Sequence, residues 1–439
     1  MKKFLAMLLA TAMVLGLAAC GSSAPASTTA AAGNEAAATE AAKAAASDEE
    51  VTLYWYMQDI GTDNIPPLRE IFAKFEAENP NIHLELMESQ ENYFNTVLAT
   101  GDSPDYMNPA MSETARALID AGLIYDVSTT EAYSHMGQFY RDAETYNGVC
   151  LGIPQGAAFT AIFYNMKILN EAGWTDVPKN QAEFFQCCED VKAKGYDAIT
   201  FAGDKTTTCF MPFECVFCGL TGMSAADYEA KFKDGSIDFN NDKVAAFLDK
   251  FSTYVQPGTT GNKEDDVVTT MASGKVAMCI AGNWSSGNIA PAIANAAGSE
   301  DLCKASLVNW TEDGTAWTSV SPESTITMSA VDQGEAHNAA RLKFYEFFWK
   351  PEINQIWTKH RGTVPVLDNM TEEHINLQPC IASIVSEVGA APSIPMGFNL
   401  WTSEACAIMC TALKDVYAGN KSGADCLKEM TDAVKASHQ

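Results

Sequence analysis

Three consecutive segments in the first third of the chain alternate between strand and helix patterns. Residues 51–57, VTLYWYM, are β-branched or aromatic with no glycine or proline, which predicts a buried strand. Residues 66–78 carry apolar side chains at helical spacing, and residues 82–86, IHLEL, alternate as a second strand. Because β-α-β units build parallel sheets covered by helices, this feature restricts the chain to α/β architectures.

The amino terminus has the order of a secretory signal. Two lysines precede an apolar run over residues 4–17. This run is shorter than the roughly 20 residues that a transmembrane helix needs. The following residues, Ala18-Ala19-Cys20, complete a sequence that resembles the bacterial lipobox. We therefore predict that residues 1–20 are a lipoprotein signal peptide and that lipidated Cys20 anchors the protein at the extracytoplasmic face of the cell membrane. An ordinary signal with a chance cysteine is the alternative.

The next segment, residues 21–50, predicts a disordered tether. It contains thirteen alanines, with Gly, Ser and Thr, and no aromatic residue. Such a composition cannot bury enough apolar surface to offset its chain entropy. From residue 51 onward, roughly 390 residues remain, which suits two globular domains. The formal net charge of −28 argues against nucleic acid as a partner, because nucleic acid is bound by clustered Lys and Arg.

Twelve cysteines remain once Cys20 is set aside. An oxidising environment would favour pairing them, but their scattered positions favour small apolar packing residues, so we expect most of them to be reduced. Cys209, Cys215 and Cys218 form the one local cluster. A zinc site usually has four ligands in paired short spacings, and no histidine lies nearby. The sequence therefore predicts neither a metal site nor a cofactor.

Several short motifs occur in a fixed order along the chain. They are FEAENP (75–80), LATGDSPD (98–105), GLIYDV (122–127), NGVCLGIP (147–154), SGKVAM (273–278) with GNW (282–284), and GTVP (362–365). In this order they resemble the bacterial extracellular solute-binding proteins of ABC importers, specifically the carbohydrate type that includes maltose-binding protein. The resemblance covers nearly the whole chain after residue 50.

The resemblance implies a two-lobed periplasmic-binding-protein fold of type II. Each lobe is expected to be an open, mainly parallel sheet flanked by helices, and a hinge joins the lobes around a ligand cleft. The chain is expected to cross between lobes near residues 155–159 and 321–325. The implied boundaries are 51–157 and 322–370 for lobe 1, and 158–321 and 371–439 for lobe 2.

Sugars present apolar faces and a rim of hydroxyl groups, so their sites combine stacking aromatics with polar side chains. The aromatic candidates are Trp284, Trp310 and Trp401, with Phe159 as an apolar wall. The polar candidates follow predicted strands, precede a predicted helix, or lie at a predicted crossing or beside the turn over residues 362–365, and they are Gln58, Asp59, Glu91, Asn108, Glu323 and Arg361. The competing explanation is core packing for the aromatic residues, solvation for the polar ones, and a surface ion pair for Arg361.

The resemblance implies a monomeric binder without catalysis that delivers a small polar solute, most plausibly a mono- or oligosaccharide, to membrane permease subunits. Ser273-Gly274-Lys275 does not complete a phosphate-binding loop, because Thr269 stands where the other glycine is needed. The transport ATPase must then be a separate chain. A lipid-anchored glycosidase is the main alternative, although no spacing singles out a carboxylate pair. A purely structural or adhesive surface protein fits the α/β pattern less well.

Overall fold

The computed structural model describes residues 49–58, 64–90, 92–204, 206–388, 390–395 and 402–438. Cys20, the signal peptide and almost all of the tether, together with Asp59, Glu91 and Trp401, lie outside the described residues. Within the described ranges, the helices are all too short or too polar to cross a bilayer.

The chain first forms most of one sheet and then most of a second sheet. It then adds one strand to the first sheet and a last strand to the second. The first part contains β1 (Val51–Tyr56), α1 (Ile65–Glu78), β2 (Ile82–Met87), α2 (Tyr93–Thr100), β3 (Tyr106–Met107), α3 (Glu113–Asp120), α4 (Glu131–Ser134), α5 (Gln138–Ala143), β4 (Thr145–Tyr146), β5 (Val149–Cys150) and β6 (Ile153–Pro154). The second part contains β7 (Ala157–Asn165), α6 (Met166–Glu171), α7 (Gln181–Ala193), β8 (Asp197–Phe201), α8 (Thr206–Thr221), α9 (Ala225–Lys233), α10 (Asp242–Ser252), α11 (Glu264–Ala272), β9 (Val276–Gly282), α12 (Ser286–Ala297), β10 (Cys303–Ser306) and β11 (Thr318–Pro322). The chain then forms β12 (Thr325–Met328), α13 (Glu335–Phe348) and α14 (Pro351–Arg361), followed by α15 (Pro379–Ala382), α16 (Val385–Val388), β13 (Ser393–Pro395), α17 (Ser403–Tyr417) and α18 (Gly423–Ser437).

The first sheet has the strand order β2-β1-β3-β12-β6. The predicted β-α-β unit is present: β1 and β2 are parallel, with Val51 opposite Ile82, and α1 connects them. Helix α1 buries its predicted apolar face, and its Phe75 ring packs edge-on against Phe344 of α13 at 5.1 Å between ring centroids. The core of this lobe therefore joins residues far apart in sequence, because α13 follows α1 only after most of the second sheet.

The second sheet has the order β13-β11-β7-β9-β8, and β10 also pairs with β7. All nine residues of β7 are buried, because helices cover both faces of the sheet. Strand β7 is antiparallel to β9, β10 and β11, and β12 is antiparallel to both its neighbours. Both sheets are thus mixed rather than mainly parallel as the sequence suggested. Strands β7 and β12 each enter their sheet after a two-residue connection from the other sheet. Parallel neighbours along the chain would need a long crossover connection, whereas antiparallel pairing does not.

A buried carboxyl group lies close to the start of β12. The Glu144 side chain is fully inaccessible to solvent. Burial raises the pKa of Glu144 to about 8, against a smaller lowering effect of the Thr325 hydroxyl group. Glu144 is therefore largely protonated in the folded protein at neutral pH.

This raised pKa predicts a pH-dependent stability. The folded state holds the Glu144 proton up to about pH 8, whereas the unfolded state releases it near pH 4.5. The wild type should thus lose about 3–5 kcal/mol of unfolding free energy across this window as pH rises. Glu144→Gln should remove this loss in urea unfolding at pH 5, 6, 7 and 8. Glu85→Gln, at an exposed carboxyl group of β2, should keep the wild-type slope. Parallel slopes for wild type and Glu144→Gln would contradict the prediction.

Candidate functional site

The chain passes between the two sheets at three places that touch one another. Gln155 and Gly156 join β6 to β7, and Glu323 and Ser324 join β11 to β12. The third connection follows α14, over residues 362–378. We call Gln155, Gly156, Glu323, Ser324, Thr363 and Val364 the crossing region. The first two passages fall inside the segments predicted to cross between lobes.

Backbone hydrogen bonds tie the three connections together. The Glu323 amide donates to the Gly156 carbonyl at 2.8 Å, and the Ala157 amide donates to the Val364 carbonyl at 2.8 Å. A Cβ atom on Gly156 would lie 2.8 Å from Cβ of Thr363 and 3.1 Å from the Val364 oxygen. A glycine fits this position because any side chain would press against the Thr363 side chain and the Val364 carbonyl oxygen.

Glu323 of the crossing region forms an ion pair with Arg361, the last residue of α14. Glu323 is 6% exposed, and the Arg361 guanidinium also lies 5.6 Å from the Trp357 ring centroid. The sequence proposed both residues as separate ligand contacts. The structure instead uses them to link the second connection to the end of α14, and only Arg361 keeps appreciable exposed surface.

Gln58 and Asn108 meet at the carboxyl ends of β1 and β3. The Asn108 side-chain oxygen accepts a hydrogen bond from the backbone amide of Gln58 at 2.7 Å. Asn108 is buried, so its amide group holds a backbone loop rather than facing a cleft, whereas the Gln58 side chain is exposed. Ligands of open α/β sheets bind beyond this edge, and of the two residues only Gln58 offers its side chain there.

Trp284 follows β9 next to the crossing region. The last residue of β9, Gly282, pairs with Thr160, near the start of β7. The indole Nε1 of Trp284 donates to Oε1 of Glu264, the first residue of α11, at 3.1 Å. A Cβ atom on Gly282 would lie 2.3 Å from the indole ring, so the ring lies directly against the glycine backbone. These two contacts fix the orientation of a partly exposed aromatic ring.

Asn283 and Glu264 are functional candidates that the sequence reasoning missed. Asn283 is fully buried, and its side-chain oxygen accepts from the Phe159 amide at 2.8 Å while its nitrogen donates to the Ala157 carbonyl at 2.9 Å. It extends the β7–β9 pairing up to the crossing region. The only sequence signal was an asparagine directly after a strand-ending glycine, and its two backbone partners lie more than 120 residues away along the chain. For Glu264 no local signal existed, since its partner is twenty residues away.

Phe159 and Trp310 belong to the hydrophobic core rather than to an exposed wall. Each is 1% exposed. Phe159 lies on the face of β7 that packs against α12, and Trp310 stacks on Phe184 of α7 with ring centroids 4.3 Å apart. Because β7 is central and covered on both sides, its aromatic residues have no open face. We therefore leave both residues out of the proposed ligand site.

Eleven cysteines are free thiols, and all of these except Cys406 are buried. Among the described residues, no group of three or more His, Cys, Asp or Glu side chains could hold a metal ion.

Comparison with known proteins gives one family and many similar folds. A family model described as "Bacterial extracellular solute-binding protein" matches residues 70–378. The "Multiple sugar-binding protein" of Streptococcus mutans serotype c is 25% identical over 247 residues, which is 54% of this chain and 58% of that protein. The chain thus matches less than two thirds of that relative's length.

Solved structures resemble the fold over most of the chain. The solute-binding protein RafE in complex with raffinose has a TM-score of 0.73 at 19% identity, covering 88% of this chain and 100% of RafE. A chitin oligosaccharide binding protein has a TM-score of 0.75 at 18% identity, covering 89% and 99%. Maltose-bound MalE3 of T. maritima has a TM-score of 0.70 at 13% identity, covering 88% and 99%. These matches confirm the predicted two-lobed α/β fold.

Proposed function

The chain belongs to the family of bacterial extracellular solute-binding proteins, and from this premise we propose that it captures a mono- or oligosaccharide between its two lobes. The observation that carries the proposal is Trp284, a partly exposed indole held in one orientation beside the crossing region. Sugar rings stack their apolar CH faces on such a surface. Similar proteins, among them a multiple sugar-binding protein and structures bound to raffinose and maltose, support a carbohydrate ligand.

The polar part of the proposed site comes from the opposite lobe. Gln58 exposes its side chain at the carboxyl edge of the first sheet, and Arg361 keeps part of its guanidinium exposed at the crossing region. Both can donate hydrogen bonds to sugar hydroxyl groups. Asp59, Glu91 and Trp401 remain predicted ligand contacts. In this arrangement one lobe supplies the stacking surface and the other supplies hydrogen bonds, so a bound sugar favours lobe closure.

The proposal also includes the transfer of the bound solute to a membrane transporter. The protein acts without catalysis, as a monomer, and passes its solute to the permease subunits of an ABC importer at the extracytoplasmic face of the membrane. Lipidated Cys20 and the tether over residues 21–50 keep the binder close to its permease. A flexible coil of this length spans about 30 Å root-mean-square, from roughly 5–6 Å times the square root of residue number.

A thermal-shift screen of the protein against a panel of mono- and oligosaccharides, with product analysis of the same samples, tests the proposal. A ligand at 100 times its Kd stabilises the folded state by about 2.7 kcal/mol, so at least one sugar should raise Tm measurably and remain intact. Cleavage of a glycosidic bond would indicate the glycosidase alternative. Unchanged Tm with every sugar would overturn the carbohydrate assignment.

A further inference from the structure

Two thiols from distant parts of the chain contact each other on the flank of the second sheet. Cys303 begins β10, and Cys380 is the second residue of α15. The two thiols interact closely enough that each changes the pKa of the other, and both residues line the same groove. Between these two residues the chain crosses to the first sheet, forms β12, α13 and α14, and returns. The contact therefore joins the segment that precedes this excursion to the segment that follows it.

The pair is buried but lines an open groove. Cys303 is 7% exposed and Cys380 is 5% exposed. Both belong to the lining of a groove of about 650 Å³ between residues 176–179, β10 and the α15–α16 segment. Cys303 pairs with Asn165, at the end of β7 that is remote from the crossing region. A thiol reagent that enters this groove therefore meets the segments that carry both cysteines, at a place remote from the proposed sugar site.

The two thiols differ in reactivity. The interaction with the Cys303 thiol, and less strongly the backbone amide of Ile381, lowers the pKa of the Cys380 thiol, although burial opposes this. The same interaction, together with burial, raises the pKa of Cys303. The thiolate is the reactive form of cysteine. Cys380 is therefore the thiol that attacks the reagent first, and Cys303 is the thiol that attacks the resulting mixed disulfide.

We propose that Cys303 and Cys380 form a disulfide bond when the exported protein meets a low-molecular-weight disulfide such as glutathione disulfide. The Cys380 thiolate attacks one sulfur of the reagent, breaks its S–S bond and releases one glutathione thiolate. The Cys303 thiol then loses its proton to that thiolate or to water and attacks the Cys380 sulfur. This step releases the second glutathione. Two protein thiols are oxidised and one glutathione disulfide is reduced to two glutathione molecules.

The other close thiols are poorer candidates. Cys406 is hydrogen bonded to Cys410, but the two lie four residues apart on the rigid helix α17. Cys279 of β9 lies close enough to Cys380 for Cys380 to raise the pKa of Cys279. The pKa of Cys380, however, is changed most by Cys303. A disulfide between Cys303 and Cys380 closes a long loop, which restricts the unfolded chain strongly. It should therefore raise Tm by several degrees.

The test uses the full chain, reduced with dithiothreitol, freed of reductant and incubated with glutathione disulfide. Thiol titration in denaturant should show the loss of two thiols, and proteolysis with mass spectrometry should recover one cross-linked peptide pair containing Cys303 and Cys380. Cys406→Ser should keep this cross-link and the rise in Tm. Cys380→Ser and Cys303→Ser should each lose both.

Three results would overturn the proposal: a cross-link that joins other cysteines, a glutathione adduct on Cys380 that never resolves, or no thiol loss at saturating reagent. Peptide mapping of the wild type decides among these even if a serine variant fails to fold. The proposal does not rest on sugar binding, so the outcome of the ligand screen neither supports nor contradicts it.

Discussion

Asp105→Ala should lower the free energy of unfolding by about 3–5 kcal/mol. Asp105 is 1% exposed, and its Oδ1 accepts hydrogen bonds from Nε of Arg341 at 2.7 Å and from Nε2 of His337 at 2.8 Å. Its Oδ2 accepts from the Tyr54 amide of β1 at 2.8 Å. The substitution leaves the guanidinium of Arg341 buried without its carboxylate, and removing one partner of a buried pair is strongly destabilising.

Asp368→Ala is the matched control for this change. Asp368 also lies 2.8 Å from a histidine nitrogen, that of His135, but both side chains of this pair are substantially solvent-exposed. Exposed ion pairs contribute about 0–1 kcal/mol, so the control should unfold at nearly the wild-type denaturant concentration. Urea unfolding of the three proteins measures both effects. Similar small losses for Asp105→Ala and Asp368→Ala would contradict the assignment of Asp105 as the residue that connects β1 to α13.

Trp284→Ala should weaken sugar binding by about 30- to 150-fold, or about 2–3 kcal/mol, while changing the Tm of the ligand-free protein little. The reason is that the indole is partly exposed and contributes a stacking face rather than core packing. Its Nε1 hydrogen bond to Glu264 and its contact with Gly282 hold this face in place before any ligand arrives. Titration calorimetry with the sugar found in the thermal-shift screen measures the change in Kd.

Trp174→Ala provides the control for that measurement. Trp174 is also a partly buried tryptophan of the second lobe, and its Nε1 donates to Oδ2 of Asp190 at 3.0 Å. It packs where α6 leads into α7, away from the crossing region. This variant should bind sugar with the wild-type Kd. Equal weakening in both variants would indicate a general loss of lobe stability, and undiminished binding by Trp284→Ala would remove Trp284 from the site.

Local sequence patterns predicted the elements of the first lobe well. The strands predicted at residues 51–57 and 82–86 are present as the neighbouring parallel strands Val51–Tyr56 and Ile82–Met87, and the apolar face predicted for α1 is the face that is buried. These features follow from side-chain spacing within one element, which depends on residues at most a few positions apart. The family motifs likewise predicted the two-lobed fold, which the matched family and the similar structures confirm.

The candidate site could be predicted only in part, because side-chain roles there depend on distant partners. Trp310 and Trp284 are both tryptophans in segments that follow strands, yet one stacks on Phe184 within the core and the other stays partly exposed against Gly282. Asn108 is occupied by the Gln58 backbone, fifty residues away. No periodicity contains this information, since it arises only when separate elements pack together.

The amino-acid sequence by itself determined the α/β class, the first strand-helix-strand unit and the family, because each of these is recorded in local spacing or in short motifs. The tertiary structure decided how the three connections meet at Gly156, that Glu323 pairs with Arg361, and that Cys303 contacts Cys380. Each of these contacts joins segments separated by dozens of residues or more. Their geometry follows from the packing of two complete lobes, which no single segment of the chain specifies.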